Sequence, residues 1–238
     1  MTPDPHRRLA GRRILITGAS RGIGAAVARA AAGAGAEVAL TARTAGSLER
    51  LAAEIEGAGG RSCALPADVT RPDEVLAMIE TGRARLGGLD SAVINQGINR
   101  LAPLSQMTPG DWDAVIATNL TGSFLVARGL AAGGFAAPGA MVFVSSVSAL
   151  PEFKKFPGFA AYSASKRGLL GLAEVLALES RESGGRVYAV CPRGVDTEMY
   201  RSTFPGARAE LEVTEAAARI VDLLDPATAP DSGSVLTL

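Results

Sequence analysis

The chain has 238 residues, of which 47% are hydrophobic, and 24 Lys and Arg residues balance 24 Asp and Glu residues. This composition is typical of a packed α/β domain and argues against a disordered chain. Zero net charge argues against a basic nucleic-acid surface, and the apolar runs fall short of the roughly 20 residues that a membrane span needs.

Apolar strand patterns alternate with helical patterns along the chain. We predict strands at 13–17, 36–42, 61–66, 89–95, 140–146, 186–191 and 234–237, and helices at about 22–33, 46–57, 72–86, 109–132, 160–182 and 213–224. This order predicts one α/β domain over 1–238, a doubly wound, seven-stranded parallel sheet of Rossmann type with helices on both faces. We expect a frayed tail at 1–10, and a frayed helix end and loop at 131–139.

The first predicted strand leads into a glycine-rich turn. Gly18, Gly22 and Gly24 lie between strand 13–17 and helix 22–33. Glycines let the backbone turn tightly and approach a pyrophosphate, and a helix N-terminus offers unpaired N–H groups to it. The alternative is an ordinary tight turn. Three glycines in seven residues, with a strand before them and a helix after them, favour a dinucleotide site.

Tyr162 and Lys166 lie four residues apart in a predicted helix and therefore share one of its faces. A free tyrosine has a pKa of about 10, and a nearby ammonium lowers it. The phenol then becomes a usable proton donor or acceptor for an alcohol and carbonyl couple. The same spacing also occurs by chance in surface helices, so the pair needs the support of the glycine turn.

Together these motifs resemble the short-chain dehydrogenase/reductase family in its compact, single-domain, 3-oxoacyl reductase-like form. Thr17 to Gly24 matches Thr-Gly-x-x-x-Gly-x-Gly, Tyr162 and Lys166 match Tyr-x-x-x-Lys, and the resemblance runs from about Gly11 to Leu236. It implies an oxidoreductase that interconverts a ketone and a secondary alcohol by hydride transfer.

The resemblance also implies the catalytic roles. Tyr162 is the general acid and base, and Lys166 lowers its pKa and holds the nicotinamide ribose. Ser146 orients the carbonyl, with Ser145 and Ser148 as competitors for that role. Asn119 holds a water in a proton relay, although from the residues alone it reads as a buried structural amide.

The cofactor contacts implied by the resemblance follow the glycine turn, four strand ends and the catalytic helix. They are Gly18, Ser20, Arg21, Gly22, Ile23, Gly24, Arg43, Asp68, Val69, Asn95, Gly97, Tyr162, Lys166, Pro192, Val195 and Thr197. Relatives that prefer NAD often carry an aspartate where this chain has Ala42. The arginines Arg43 and Arg21 can instead pair with a 2′-phosphate, so NADP(H) is favoured over NAD(H). The alternative is that both arginines are merely solvated.

Several positions leave alternatives open. Asp68 matches an adenine contact, while Thr70 with Asp73 reads as a helix cap. Gln96 is bulkier than the alanine of the family motif. Arg193 replaces a family glycine, and an arginine would carry a backbone cost if this turn had a positive φ. Its side chain either faces the pocket, with Lys154 or Lys155, and favours an anionic substrate, or it points to solvent. The loop 150–159 is a pocket wall, an oligomer contact or an ordinary loop.

The remaining expectations concern partners, location and rival functions. We predict a small-molecule carbonyl or alcohol substrate, a homodimer or homotetramer, no metal, no nucleic acid and no membrane. Cys63 and Cys191 lie on different predicted strands, which indicates a reduced, cytoplasmic protein. The rivals are a non-catalytic NADP-binding regulator on the same fold and a carrier-protein-linked 3-oxoacyl reductase.

Overall fold

The structure, a computed structural model, describes residues 7–135 and 139–238. Its strands are β1 (Arg13–Thr17), β2 (Glu37–Thr41), β3 (Arg61–Ala64), β4 (Ser91–Ile94), β5 (Ala140–Val144), β6 (Arg186–Cys191) and β7 (Val235–Thr237). Its α-helices are α1 (Gly22–Gly33), α2 (Ala45–Gly57), α3 (Pro72–Leu86), α4 (Pro109–Ile116), α5 (Gly122–Ala131), α6 (Ala160–Glu179), α7 (Glu198–Thr203) and α8 (Val213–Asp222).

The strands form one parallel sheet in the order β3-β2-β1-β4-β5-β6-β7, which confirms the predicted doubly wound fold. Side chains alternate across it: Ile14 and Ile16 join the core beneath α1, α2 and α8, whereas Leu15 joins the core beneath α3, α5 and α6. Strand order reverses between β1 and β4, and such a reversal opens a crevice at the carboxyl ends of the strands.

The bounds of β1, β6, α1 and α3 agree with the prediction, and the other predicted elements differ by a few residues at their ends. Two differences matter for the site. The helix predicted at 109–132 is two helices, α4 and α5, joined by a π-helical turn at Ala117–Thr121. The segment after β6, predicted to be irregular, contains α7.

One helical stretch, Pro109–Ala131, has the length and composition of a membrane span, with 23 residues and a mean hydropathy of 1.3 in its most apolar window. The uninterrupted apolar runs within it stay short, as expected, because Asp111, Asp113 and Arg128 divide the stretch. The stretch is broken by the π-helical turn and packs against α3 and α6, as helices of an α/β core do. Length and composition alone do not make it a span.

The chain joins the core before residue 10. Residues 1–6 lie outside the described residues, but Leu9 is fully buried in the core and its N–H donates to the Ala34 carbonyl at 2.9 Å. Arg8 pairs with Asp222 of α8 at 2.6 Å. The prediction of a frayed segment to residue 10 is thus wrong for these residues. Of the loop expected at 131–139, residues 136–138 lie outside the described part of the chain.

The glycine turn brings α1 against the end of β1. Gly18 and Gly22 have φ of +62° and +56°, a left-handed conformation that favours glycine. At Gly24 the reason is contact: a Cβ atom would lie 2.4 Å from the Gly18 carbonyl oxygen and 2.6 Å from Nδ2 of Asn95. The third glycine therefore lets the helix start directly beside the strand.

Gly24→Ala should destabilise the protein by roughly 1–3 kcal/mol or more, because the methyl group meets fixed backbone. The matched control is Gly33→Ala in the same helix, where an added Cβ meets nothing within 4 Å. It should be neutral or stabilise by up to about 1 kcal/mol. Urea unfolding of both variants measures the difference, and equal effects would contradict the close approach at Gly24.

Candidate active site

Four predicted catalytic side chains converge at the carboxyl ends of β4 and β5. Ser146 follows β5, Tyr162 and Lys166 lie on α6, and Asn119 lies in the π-helical turn. Gly97 marks their meeting point, because a Cβ atom there would lie 3.4 Å from Nζ of Lys166 and 3.5 Å from Oδ1 of Asn119. The structure thus places residues from four separate segments around one point.

Lys166 is buried, with 4% of its surface exposed, and its ammonium donates to the Val144 carbonyl at 2.8 Å. That carbonyl belongs to the last residue of β5. Burial disfavours the charged form and lowers the pKa of Lys166 to about 8. Ser145, a competitor for the catalytic serine role, donates its hydroxyl to the Lys166 carbonyl at 2.8 Å and so ties β5 to α6.

Tyr162 shows a different electrostatic balance from the one expected. Burial raises the pKa of its phenol, and hydrogen bonding with Ser146 only partly offsets this. Nζ of Lys166 lies 5.8 Å from the centre of the Tyr162 ring and is directed to a carbonyl. The expected lowering of the Tyr162 pKa by Lys166 is therefore not found: desolvation raises this pKa, and the group that lowers it is Ser146.

The hydroxyl of Ser146 accepts a hydrogen bond from the Ser148 N–H at 3.1 Å. An acceptor role toward the backbone leaves the Ser146 proton available to Tyr162 or to a carbonyl oxygen. Ser148, the other competitor, has a buried hydroxyl with no hydrogen-bond partner in the described part of the chain. Of the three serines, Ser146 is the one whose hydroxyl acts on the Tyr162 phenol, where it lowers the pKa.

Asn119 is fully buried and joins two walls of the site. Its Oδ1 accepts from the Ile98 N–H at 2.8 Å, and its Nδ2 donates to the Ile98 carbonyl and to Oγ of Ser165, both at 3.0 Å. Ser165 in turn donates to the Tyr162 carbonyl at 2.7 Å. The π-helical turn directs this amide inward, a frequent use of such turns at functional sites.

Gln96, a departure from the family motif, fits without difficulty. It is buried, its Nε2 donates to Oγ of Ser123 at 2.9 Å, and its Oε1 accepts from the Thr17 hydroxyl. Ser123 continues the chain by donating to the Asn119 carbonyl at 2.7 Å. Sequence reasoning missed Ser123 and Ser165, since small polar residues in helices carry no signal of their own.

The glycine turn has the properties of an anion site. The N-cap residue of α1, Arg21, makes no side-chain hydrogen bond to the helix, so the first N–H groups of α1 are open to a ligand. Asn95 supports the turn by donating to the carbonyls of Thr17 and Gly18 at 3.2 and 3.3 Å. The residues present therefore fit a dinucleotide pyrophosphate.

The segment after β6 lies beside the same turn. A Cβ atom on Gly22 would lie 3.4 Å from Cγ2 of Thr197, and Thr197 caps α7 by accepting from the Tyr200 N–H. The Pro192 carbonyl accepts from the Val147 N–H at 3.2 Å, which links this segment to the end of β5. Val195 is buried below it.

The two predicted phosphate-binding arginines differ in their surroundings. Arg21 pairs with Glu198 at 2.6 Å, and both side chains are largely exposed. Arg43 is exposed just beyond β2, and its charge is one of the influences that lower the Asp68 pKa. For Asp68, burial opposes this shift, whereas hydrogen bonds from Thr70 support it.

The turn at Thr70 corrects one detail. Its hydroxyl and N–H both donate to Oδ1 of Asp68, at 2.8 and 2.9 Å, and the N-cap residue of α3 is Arg71 without a side-chain cap. The predicted cap by Thr70 with Asp73 is therefore wrong. Val69 is buried and packs closely against Gly122 of α5.

Arg193 causes no backbone strain, since within 7–135 and 139–238 only glycines have positive φ. Its guanidinium lies 3.4 Å from Glu210 and 5.3 Å from the centre of the Phe153 ring. These contacts provide the arginine with partners outside the catalytic group. The condition for a backbone cost, a positive φ at Arg193, is not met. A role in binding an anionic substrate stays a prediction.

Comparison with known proteins agrees with this geometry. A family profile described as short chain dehydrogenase matches residues 12–208. The chain is 37% identical over 208 residues to D-threitol dehydrogenase of Mycolicibacterium smegmatis, covering 85% of this chain and 77% of that protein. It is also 37% identical over 210 residues to 3beta-hydroxysteroid dehydrogenase 1 of Eggerthella lenta, covering 86% and 79%.

Among solved structures, a short chain dehydrogenase from Burkholderia cenocepacia in complex with NADP superposes with a TM-score of 0.89. The two chains are 31% identical, and the match covers 97% of each. Profile, relatives and structure all lead to the same family. The chain belongs to the short-chain dehydrogenase/reductase family of oxidoreductases.

Proposed function

We propose that the chain is an NADP(H)-dependent oxidoreductase that interconverts a ketone and a secondary alcohol, with Tyr162 as general acid and base. The observation that carries this proposal is the convergence of Ser146, Tyr162 and Lys166 beside a glycine turn that fits a pyrophosphate. When bound, the nicotinamide supplies or accepts the hydride. The protein has to orient the substrate and move one proton.

Tyr162 is suited to hold that proton. Because burial raises its pKa, the phenol stays protonated near neutral pH and is ready to donate to a carbonyl oxygen. Ser146 adds a second donor at the same oxygen, and preorganised donors stabilise the negative charge that develops there. In the oxidative direction the deprotonated Tyr162 accepts the proton of the alcohol, and its raised pKa favours this direction at higher pH.

Asn119 is a positioning residue that joins two segments of the site. Its contacts with Ile98 and Ser165 hold the loop after β4 against the catalytic helix, and so fix the distance between Tyr162 and the nicotinamide site. A role in proton resupply remains a prediction from the family resemblance.

The preference for NADP(H) rests on Arg43 and its surroundings. Thr44 follows Arg43 in the chain and is the N-cap residue of α2; it makes no side-chain hydrogen bond to the helix, which leaves the first N–H groups of α2 without that cap. An arginine fork beside open N–H donors suits a phosphate dianion. The NADP complex of the Burkholderia cenocepacia relative supports the same choice.

The other expectations stay as predictions. Cys63 and Cys191 are both free and buried, which is consistent with a reduced, cytoplasmic protein. A homodimer or homotetramer is still expected. A ketone turnover assay separates the enzyme from a non-catalytic regulator, and a carrier-protein pull-down tests the carrier-linked alternative.

Tyr162→Phe should reduce ketone turnover by roughly 10²–10⁴-fold, because the proton donor is lost, while NADPH binding persists. The control is Tyr188→Phe, which removes a hydroxyl bonded to the Pro230 carbonyl in the core. It should lower stability by about 1 kcal/mol and leave turnover unchanged. Near wild-type turnover of Tyr162→Phe on the same ketone would refute the mechanism.

Lys166→Met should remove a pH-dependent part of the stability. The pKa of Lys166 in the folded protein, about 8, lies below the ordinary value of 10.5. Below pH 8 the full cost of burying the charged ammonium therefore opposes folding. This cost disappears as the pH rises from 8 to 10.5. Relative to the variant, the wild-type free energy of unfolding should rise by about 3 kcal/mol across that window.

Urea unfolding of the cofactor-free protein at several pH values measures this difference. Lys154→Met, at an exposed position, should retain the rise. Wild-type and Lys166→Met curves that stay parallel would mean that Lys166 carries no perturbed charge.

Arg43→Ala should weaken NADP binding roughly tenfold to a hundredfold and leave NAD binding nearly unchanged, since only NADP has the 2′-phosphate. The control is Arg50→Ala on the exposed side of α2, where the arginine bonds Ser47. Titration of both cofactors into the three proteins gives the dissociation constants. Equal losses for NAD and NADP would assign Arg43 to loop support alone.

A further inference from the structure

Four aromatic side chains form a continuous layer that ends on Tyr162. We call this layer the aromatic wall; it consists of Phe156, Phe159, Tyr200 and Phe204. The Phe159 ring meets the Tyr162 ring edge-to-face at 6.0 Å and stacks on Phe204 at 5.8 Å. Phe156 and Tyr200 each lie 5.3 Å from Phe204. The proposed proton donor is thus the innermost ring of an aromatic surface.

The wall is built from two segments that are fixed over the site. Phe156 and Phe159 precede α6, and the Gly158 carbonyl accepts from the Ala102 N–H at 3.3 Å. Tyr200 lies in α7 and Phe204 directly after it, and Asn99 holds this helix by donating to the Thr203 hydroxyl at 2.8 Å. The wall therefore borders the space between the loop after β4 and Tyr162.

Part of the surface of these rings is exposed and can contact a ligand. Phe156 is 42% exposed, and Phe159 and Phe204 are only half-buried. Aromatic faces in a cleft bind flat apolar groups, and each ring pair contributes beyond the area that it buries. Acyclic polyhydroxylated substrates would leave these rings without a matching partner.

Cations near the wall already have partners. Arg193 pairs with Glu210, Arg201 lies 2.6 Å from Asp196, and Lys155 donates to the Leu150 carbonyl. An anionic substrate would have to displace these contacts. Nζ of Lys154 lies 5.5 Å from the centre of the Phe156 ring, so this cation contacts the wall itself. A neutral substrate would leave all of these contacts in place.

We infer that the substrate is a neutral ketone, or the matching secondary alcohol, whose reacting carbon is attached to or part of a flat apolar ring system. This inference rests on the proposed function and names its substrate class. The ring system packs on Phe159 and Phe204, and the carbonyl oxygen points to Tyr162 and Ser146. The carbonyl carbon gains a hydride from the reduced nicotinamide, which is thereby oxidised, and the oxygen gains the Tyr162 proton.

The test compares three methyl ketones with the same reacting group: acetylnaphthalene, its carboxylated analogue and hydroxyacetone. Wild-type kcat/KM should be at least about tenfold higher for acetylnaphthalene than for hydroxyacetone, and the carboxylate should bring no gain. Phe159→Leu and Phe204→Leu should each lower kcat/KM for acetylnaphthalene about tenfold and change that for hydroxyacetone less than about twofold.

The control is Phe124→Leu on α5, an equally conservative change at a ring that is 44% exposed and outside the wall. It should leave both values unchanged. Equal losses for acetylnaphthalene and hydroxyacetone in Phe159→Leu and Phe204→Leu would make the wall purely structural. A wild-type preference for hydroxyacetone or for the carboxylate would also overturn the inference.

A binding measurement separates this inference from the proposed function. If the wild type reduces none of the ketones, calorimetric titration of acetylnaphthalene into the NADP-loaded protein decides. Binding that is lost in both leucine variants would support the wall and refute the proposed chemistry. Absence of binding to the wild type would overturn the wall as a substrate surface.

Discussion

The burial of one charge organises the site. The Lys166 ammonium is buried and donates a hydrogen bond to the Val144 carbonyl at the end of β5. A rotation or a shift of α6 would therefore leave a buried charge without a partner. Tyr162, one helical turn earlier, is held in place by the same constraint. Ser146 follows β5 and meets Tyr162 because the strand end and the helix are tied together. The positions of Tyr162 and Ser146 relative to each other thus depend on this contact.

A buried polar chain extends this constraint across the sheet. It runs from Thr17 at the end of β1 through Gln96 and Ser123 to Asn119, and on to Ser165 in the catalytic helix. Buried networks whose members are satisfied fix one arrangement of the elements around them, since any shift leaves a polar group unpaired. This series of hydrogen bonds links the glycine turn, which fits the cofactor, to the helix that carries Tyr162. The glycine turn and Tyr162 are thus positioned by one connected network of hydrogen bonds.

Much of this was predictable from the sequence, and the rest depends on contacts that no local pattern records. The hydrophobic period and the placement of the glycines predict the elements around the cofactor turn. β1, the glycine turn and α1 lie where predicted. The π-helical turn at 117–121 was missed because one wider turn hardly changes the apolar period of a long helix. The six-residue α7 is too short for a periodic signal. The Tyr162 pKa was predicted in the wrong direction because the spacing of Tyr162 and Lys166 does not reveal how strongly the phenol is desolvated.

A direct measurement of the Lys166 pKa tests this account most sharply. The chain has three lysines, Lys154, Lys155 and Lys166, so protein labelled with ¹³C at lysine Cε gives three NMR signals. The signal that is absent from Lys166→Met belongs to Lys166. Titration of the cofactor-free protein should show it changing with a midpoint at about 8. A midpoint near the ordinary value of 10.5 would contradict a buried, carbonyl-bonded ammonium at the centre of the site.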